Sequence, residues 1–320
     1  MKAAVYYETG PPSVFKYEEV QDPECGPHDV LIETKAISVE GGDVVNRAVG
    51  EMHTNPFIIG YCSAGVILAT GENVSHLQEG QRVATLNFFG SHAEKRAVPF
   101  QTCWPIPEDV SFGEAACVPV TFGTAHDCIF EFGRLQKGET VLIQGGAGGV
   151  GLAAIQFAKQ VGARVLATAS SDERLKRLKA FGLDHGINYK EKDLVDEVNR
   201  LTDNAGVNLV VDPIGSATLE KSIRATGHRG RIISMGSAGR EFSKIDISAM
   251  SEKNRSLTAI FQGAEIFTGR VPKLIGDLLQ QLGQKKFKVH IDRQFPLSRA
   301  AEAHAFIESR QALGRVVLIP

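Results

Sequence analysis

Gln144-Gly145-Gly146-Ala147-Gly148-Gly149-Val150-Gly151 follows the apolar run Val141-Leu142-Ile143 and opens a helix-like segment over residues 152–160. Strand, glycine turn and helix start, in that order, make a cradle for a dinucleotide pyrophosphate, because the unpaired amides of a helix N-terminus face the anion. Gly146, Gly148 and Gly151 supply the G-x-G-x-x-G spacing. The first permits a tight turn, the second lets phosphate approach the backbone, and the third lets helix pack closely on strand. Gly151, Ala154, Ile155 and Ala158 recur at helical spacing, a narrow face of mostly small residues to set against a sheet. A glycine turn alone often does no more than turn a chain; its flanks give this one its reading.

The same alternation continues downstream. Strands are expected over residues 141–144, 164–169, 186–189, 208–212, 231–235 and 257–261, separated by helices over 152–160, 172–181, 193–202 and 217–224, with Gly182 stopping the second helix. Strands joined by helices of this length imply right-handed crossovers and a doubly wound parallel sheet, a Rossmann domain. The first 115 residues differ: short β-rich runs over 2–7, 29–36, 64–70, 81–86 and 93–98 are broken by Pro11-Pro12, Gly26-Pro27, Gly41-Gly42 and Gly71. That spacing predicts an irregular barrel or sandwich. Helices over 271–282 and 298–309 and a strand over 315–319 close the chain.

With 320 residues, 43% of them hydrophobic and 22% charged, the composition is that of a globular protein with room for two domains. A balance of 35 Lys+Arg against 37 Asp+Glu gives no bulk attraction to nucleic acid or anionic membrane, so small, nearly neutral ligands are expected instead. No apolar run is long enough to span a bilayer, and the first residues lack the apolar core of a secretory signal, so the expectation is a soluble, cytoplasmic protein. The five cysteines, Cys25, Cys62, Cys103, Cys117 and Cys128, are scattered and never spaced C-x-x-C. They read as small buried hydrophobes, neither a disulfide framework nor a structural zinc cluster.

Several short motifs in fixed order carry a resemblance. They include Met1-Lys2-Ala3, Val30-Leu31-Ile32, Glu79-Gly80-Gln81-Arg82-Val83, Ala115-Ala116 before Gly123-Thr124-Ala125, and Lys137-Gly138-Glu139-Thr140-Val141. The glycine stretch, Asn188-Tyr189, Asp212-Pro213-Ile214-Gly215 and the ending Gly314-Arg315-Val316-Val317-Leu318 complete them. Over essentially its whole length the chain resembles the medium-chain dehydrogenase/reductases, in their zinc-independent, zeta-crystallin-like quinone oxidoreductase branch. The resemblance implies an α/β fold: a GroES-like β-rich catalytic domain over residues 1–118, completed by about 263–320, and a Rossmann domain over 119–262 that binds NADPH. Relatives form homodimers through the edge of the Rossmann sheet, which the expected strand 257–261 could supply.

Zinc-using relatives carry a Cys, a His in Gly-His-Glu and a later Cys. The matching places here are Gly41, Tyr61 in Gly60-Tyr61-Cys62, and Val120. None is a ligand in that setting. Chemistry without a Lewis acid points to hydride addition to an activated acceptor, a quinone or an α,β-unsaturated carbonyl, and away from simple alcohol oxidation.

An NAD site places an acid about 20 residues past the glycines, on the ribose hydroxyl. Here the second strand ends Ala169-Ser170-Ser171, with Arg174 on the next helical turn. Small hydroxyls and a guanidinium suit a 2′-phosphate, so NADPH is favoured, although Ser170 with Glu173 also fits a capping box and the basic run around Arg174 also fits a solvated helix face. The resemblance assigns Gly146, Gly148, Gly149, Val150 and Tyr189 to the phosphates. Gly215, in Asp212-Pro213-Ile214-Gly215, and Gly236, in Met235-Gly236-Ser237, lie at strand carboxyl ends where ligands gather, and Phe261 is a candidate for the nicotinamide pocket.

The loop Ser38-Val39-Glu40-Gly41-Gly42-Asp43-Val44-Val45-Asn46-Arg47 takes the place of the family's Asn-x-x-Asp loop. Asp43 matches the aspartate and reads as a brace in a turn-forming sequence. Glu40 replaces the asparagine, and Asn46 and Arg47 replace aromatic residues. A carboxylate cannot donate as an amide does unless it is protonated, so the acceptor cannot be copied from a relative. Tyr61 and His53 are the nearest groups for proton donation, each with a structural role as the alternative reading; Asp43 and Tyr61 are the catalytic candidates. The expected function is zinc-independent, NADPH-dependent hydride transfer to a small-molecule acceptor; the alternative is a non-catalytic NADPH-binding sensor or structural protein of the same fold.

Overall fold

A computed structural model describes residues 1–236 and 246–320, the side chains of Ser216 and Ala217 excepted. The chain divides into two compact units, Met1–Gly123 with Gly263–Pro320, and Thr124–Gln262.

The second unit carries six parallel strands in the spatial order His185–Asn188, Arg164–Ala169, Thr140–Ile143, Val207–Asp212, Thr226–Ser234, Ser256–Ala259. In sequence order that is 3-2-1-4-5-6, with the reversal between the first and fourth strands, where ligands of doubly wound sheets bind. Helices Gly149–Val161, Asp172–Leu178, Leu194–Leu201 and Ser216–Ala225 make the crossovers. Val141, Leu142, Ile143, Val165, Leu166, Val210 and Val211 are buried in a continuous apolar layer, as strands covered on both faces must be. The glycine-stretch helix is buried over more than the expected narrow face: Leu152, Ala153 and Phe157 join Gly151, Ala154, Ile155 and Ala158. Phe157 leaves the sheet side to meet Phe130 and His126 edge-on, at centroid distances of 5.8 Å and 5.9 Å.

The first unit is built on a seven-stranded sheet ordered Ile291–Pro296, Arg315–Ile319, Asp29–Ser38, Cys62–Thr70, Arg82–Leu86, Cys103–Pro105, with Lys95–Pro99 also paired to Asp29–Ser38. A hairpin of Lys2–Val5 and Lys16–Glu19 lies beside it. Register matters here, because Ser38 pairs with Val317 on one side and Cys62 on the other. Residues just past Ser38 are therefore flanked by Arg315 and by Tyr61.

Several stretches take a structure that the sequence does not announce. Residues 41–47, expected as a loop, begin the helix Gly41–Val49. Residues 112–131 are helical in four pieces, Phe112–Ala116, Gly123–His126 and two wider π turns, Val118–Phe122 and Asp127–Glu131. Gly113, Pro119 and Gly123 hide any single helical period. The strand Ile291–Pro296, in which only Phe295 is buried, lacks an apolar alternation to reveal it.

Candidate functional site

In the glycine turn, the left-handed backbone that demands glycine belongs to Gly145, at φ +59°, and not to Gly146. Gly146 is required by packing instead. A Cβ there would stand 2.8 Å from the Cβ of Ala167 on the second strand. Gly148 is the exposed N-cap of the helix Gly149–Val161. The first turn of that helix closes with Leu152 N–H donating to Gly148 O at 2.9 Å, so the amides of Gly149, Val150 and Gly151 precede the hydrogen-bonded ladder. Gly151 serves the turn itself, since a Cβ on it would lie 2.5 Å from Gly145 O. Bare backbone, a helix N-terminus and a missing side chain at Gly148 together fit a pyrophosphate.

A buried polar chain stands under this turn. Gly145 N–H donates to Thr168 Oγ1 at 2.9 Å, and the Thr168 hydroxyl donates to Gln144 Oε1 at 2.9 Å. Gln144 Nε2 donates to Ser222 Oγ at 3.1 Å, and the Ser222 hydroxyl donates to Asp212 Oδ2 at 2.7 Å. Asp212 Oδ1 also accepts the amides of Ile214 and Gly215, at 3.0 Å and 3.1 Å. The chain ties the glycine turn on the first strand to the Pro213-Ile214-Gly215 turn on the fourth. None of Thr168, Gln144 and Ser222 is visible as functional in the sequence, because each is an ordinary polar residue until the strands bring them together.

Ser171, not Ser170, caps the next helix: its hydroxyl accepts Arg174 N–H at 3.4 Å. The expected capping box of Ser170 with Glu173 does not form, and Ser170 is left half-buried at the strand end. Arg174, also half-buried, lies in the first turn of the helix Asp172–Leu178. Tyr189 follows the third strand, whose last residue Asn188 pairs with Ala169, and is 47% exposed. Gly215 is the N-cap of the helix Ser216–Ala225 with φ +85° and ψ −138°, a conformation closed to other residues. Gly236 has φ +72°, and among the described residues nothing would lie within 4 Å of a Cβ there; its neighbour Ser237 lies outside the described residues. Phe261 stands two residues past the last strand, which ends at Ala259, and is 68% exposed, so core packing is not its role.

In the first unit, Glu40 is the N-cap of the helix Gly41–Val49 and is buried. Its carboxylate meets Arg315 Nη2 at 2.6 Å, Ser38 Oγ at 2.8 Å and Thr121 Oγ1 at 3.2 Å. Arg315 also donates to Val39 O at 2.7 Å. A buried carboxylate demands such partners, and Arg315 answers the charge that Glu40 introduces.

Asp43, wholly buried, accepts Glu40 N–H at 2.8 Å and Tyr61 N–H at 3.2 Å. Burial pushes its carboxyl up to about 8, against the pull of the Glu40 amide. With no exposed surface it cannot touch an acceptor; it holds Tyr61. It braces a helix start, where the sequence suggested a turn. The Tyr61 hydroxyl accepts from Asn46 Nδ2 at 2.7 Å, and burial, then the Asp43 charge, pushes its phenol well above the ordinary tyrosine range. His53 instead meets Phe57 edge-on and Phe89 at a tilt, at centroid distances of 5.9 Å and 5.6 Å.

The donors around Tyr61 do not fit zinc. Gly41 offers no side chain and Val120 no donor atom. Glu40 is neutralised by Arg315, and Asp43 is occupied by backbone amides. Burial, then Glu40 and Asp43, pushes the Cys62 thiol well up, so it keeps its proton. Among the described residues no group of three or more His, Cys, Asp or Glu side chains could hold a metal ion.

Comparison with known proteins agrees with this architecture. Residues 26–108 match the family model described as an alcohol dehydrogenase GroES-like domain, and residues 149–280 the one described as a zinc-binding dehydrogenase. The chain is 31% identical over 326 residues to quinone oxidoreductase-like protein 2 of Bos taurus, covering 99% of this chain and 92% of the relative. It is 30% identical over 338 residues to a 2-haloacrylate reductase of a Burkholderia species, covering 99% and 98%. Among solved structures, the Escherichia coli quinone oxidoreductase complexed with NADPH superposes with a TM-score of 0.95 at 25% identity over the full length of both chains. The chain is therefore an oxidoreductase of the medium-chain dehydrogenase/reductase family. Within it, the chain belongs to the quinone oxidoreductase-like proteins. Among the described residues no helix is long and apolar enough to cross a membrane.

Proposed function

We propose that this chain transfers a hydride from NADPH to a small conjugated acceptor, a quinone or an α,β-unsaturated carbonyl, without a metal. The observation that carries the reading is the glycine turn with its uncapped amides beside a second strand that ends in Ala169-Ser170-Ser171, with Arg174 following. In this reading the amides of Gly149 and Val150, reached over the bare Gly146 and Gly148, bind the pyrophosphate, and Tyr189 borders it. Ser170 and Arg174 bind the 2′-phosphate, Arg174 through charge-assisted hydrogen bonds. Gly215, Gly236 and Phe261 border the nicotinamide end, the two glycines allowing close approach of the ligand. Bound NADPH supplies the hydride; Tyr61 supplies a proton, and Asp43 holds Tyr61 in place. Support comes from two relatives: a solved quinone oxidoreductase that carries NADPH, and a 2-haloacrylate reductase, whose name gives a conjugated acceptor.

The same reading includes a homodimer through the edge strand Ser256–Ala259, where Leu257 is exposed. NADPH oxidation followed against a panel of quinones and enones, with a chelator present, tests the proposal. Turnover that survives chelation supports it. Tight NADPH binding with no turnover would favour the non-catalytic alternative, and turnover abolished by the chelator would end the metal-free reading.

A further inference from the structure

Two of the turns at the carboxyl ends of the Rossmann strands depend on a glycine. Gly145, after the first strand, has φ +59°, and Gly215, after the fourth, has φ +85° with ψ −138°. Glycine permits such backbone without fixing it, so each turn has to be held by what its amide meets. The two amides meet opposite ends of one hydrogen-bonded chain. Gly145 N–H donates to Thr168 Oγ1 at 2.9 Å, and Gly215 N–H donates to Asp212 Oδ1 at 3.1 Å. Gln144 and Ser222 stand between, and all four side chains are buried.

The direction of the chain is fixed from both ends, because a main-chain N–H only donates and a carboxylate only accepts. Thr168 Oγ1 accepts from Gly145, so its own proton goes to Gln144 Oε1. That leaves Gln144 Nε2 to donate to Ser222 Oγ, and the Ser222 proton goes to Asp212 Oδ2. Each link thus has one direction, and a break at any of them leaves buried groups unpaired.

The chain also crosses the sheet where the strand order reverses. Thr168 lies on Arg164–Ala169 and Gln144 directly follows Thr140–Ile143, while Asp212 ends Val207–Asp212 and Ser222 lies on the helix Ser216–Ala225. A doubly wound sheet of this order has two mononucleotide-binding halves, one on its first three strands and one on its last three. Thr168 and Gln144 belong to the first half, Ser222 and Asp212 to the second.

We propose that Gln144, Thr168, Ser222 and Asp212 are positioning residues that link the two halves of the dinucleotide site, so that a ligand in the adenosine half tightens the nicotinamide half. On the cofactor reading given above, the phosphate of the adenosine half orders the Gly145 turn. Order at Gly145 removes freedom from the chain, and the Gly215 turn then loses less on taking the second ligand. Buried as they are, the four side chains act through the glycine amides and not on the ligand. By reciprocity, the nicotinamide half tightens the adenosine half by the same factor.

Adenosine 2′,5′-bisphosphate and reduced nicotinamide riboside probe the halves separately, the riboside carrying no phosphate to repel the first ligand. In wild type, saturating bisphosphate is expected to lower the riboside Kd by about 5-fold or more in a fluorescence titration, and the riboside to lower the bisphosphate Kd equally. In Thr168→Val and in Ser222→Ala that factor is expected to be lost, and in Thr168→Ser, which keeps the hydroxyl, to be retained. A merely structural role would weaken each fragment alone and leave the factor as it was. Hydrogen exchange supplies a readout with one ligand: the bisphosphate is expected to slow exchange of the Ile214 and Gly215 amides in wild type and not in Ser222→Ala. Wild type without the factor, or variants that keep it, would overturn the proposal and leave NADPH binding standing. Wild type that binds neither NADPH nor the bisphosphate would overturn the cofactor reading as well. Should Thr168→Val fail to fold, Ser222→Ala decides by the same two measurements.

Discussion

Arg174 is the residue on which cofactor choice turns in our proposal. Its place in the first turn of a helix capped by Ser171 leaves the Ser170 hydroxyl outside the cap, where it can join the guanidinium on a phosphate. Arg174→Ala is expected to raise the NADPH Kd by about 10- to 100-fold, the worth of a charge-assisted contact, and to leave NADH binding nearly unchanged; fluorescence titration with both dinucleotides measures the ratio. An unchanged preference would return Arg174 to the solvated helix face. The polar chain under the glycine turn makes a second residue-level prediction. Asp212 receives four donor groups, Ile214 N–H, Gly215 N–H and the hydroxyls of Thr218 and Ser222. Asp212→Asn puts an amide where an acceptor is needed, so unfolding free energy should fall by about 1–3 kcal/mol and NADPH affinity should fall with it; urea titration and fluorescence binding check the two together. The residues proposed for the cofactor, Gly146 and Arg174 among them, could be picked out because their signal is a short pattern in sequence. Gln144, Thr168 and Ser222 could not, since nothing local marks three polar residues that meet only when strands from distant parts of the chain pair.

At the scale of elements, the Rossmann half was legible because each strand and helix carries its own period and its own stop. Arg164–Ala169 and Arg315–Ile319 fall on the expected residues, and Gly182 ends its helix at φ +110°. The helix Gly41–Val49 was not, for a physical reason: two glycines at its start and two adjacent valines argue locally for a turn or strand. What makes it helical is tertiary. Asp43 reaches back to the Glu40 amide, and Val44 and Arg47 are buried. A glycine can thus be needed at a helix start for what lies against it, and Gly151 and Gly276 separate the two cases. Gly276→Ala, whose Cβ would lie in ordinary contact at 3.7 Å from Trp104 Cδ1, should stabilise the helix Arg270–Gly283 by up to about 1 kcal/mol, the propensity difference. Gly151→Ala gains the same propensity, but its Cβ would sit 2.5 Å from Gly145 O, and overpacking of that kind costs about 1–3 kcal/mol. The clash outweighs the gain, so thermal unfolding should move down for Gly151→Ala, and NADPH binding should weaken as the turn opens.

At the scale of the whole molecule, the first unit is assembled from both ends of the chain, and a buried histidine pair is one of the contacts that join them. His92 Nε2 and His304 Nε2 stand 3.0 Å apart, 212 residues apart in sequence, with Phe15 edge-on to His304 at 4.7 Å. Burial, then the Arg96 charge, pushes His92 down to about 3; burial, then His92 and Arg47, pushes His304 well below the ordinary range. Both rings are therefore neutral in the folded protein, whereas in the unfolded chain each takes a proton near pH 6.5. Below that pH the unfolded state binds more protons, so stability falls as the medium is acidified, from about pH 6.5 down to about 3 for His92. Each histidine contributes a slope of about 1.4 kcal/mol per pH unit in that window. Asp43, raised to about 8, acts in the opposite sense and loses stability as pH rises from about 4 to 8, so the wild-type curve alone mixes the two. Comparison with His304→Gln separates them, because Asp43 is common to both proteins. Urea unfolding between pH 7.5 and 5 should show wild type losing stability more steeply than the variant by about 1.4 kcal/mol per pH unit below pH 6.5, although the variant starts lower for its lost packing. Parallel curves would mean that the pair is protonated in the fold and that the link between the two ends of the chain is a charged one.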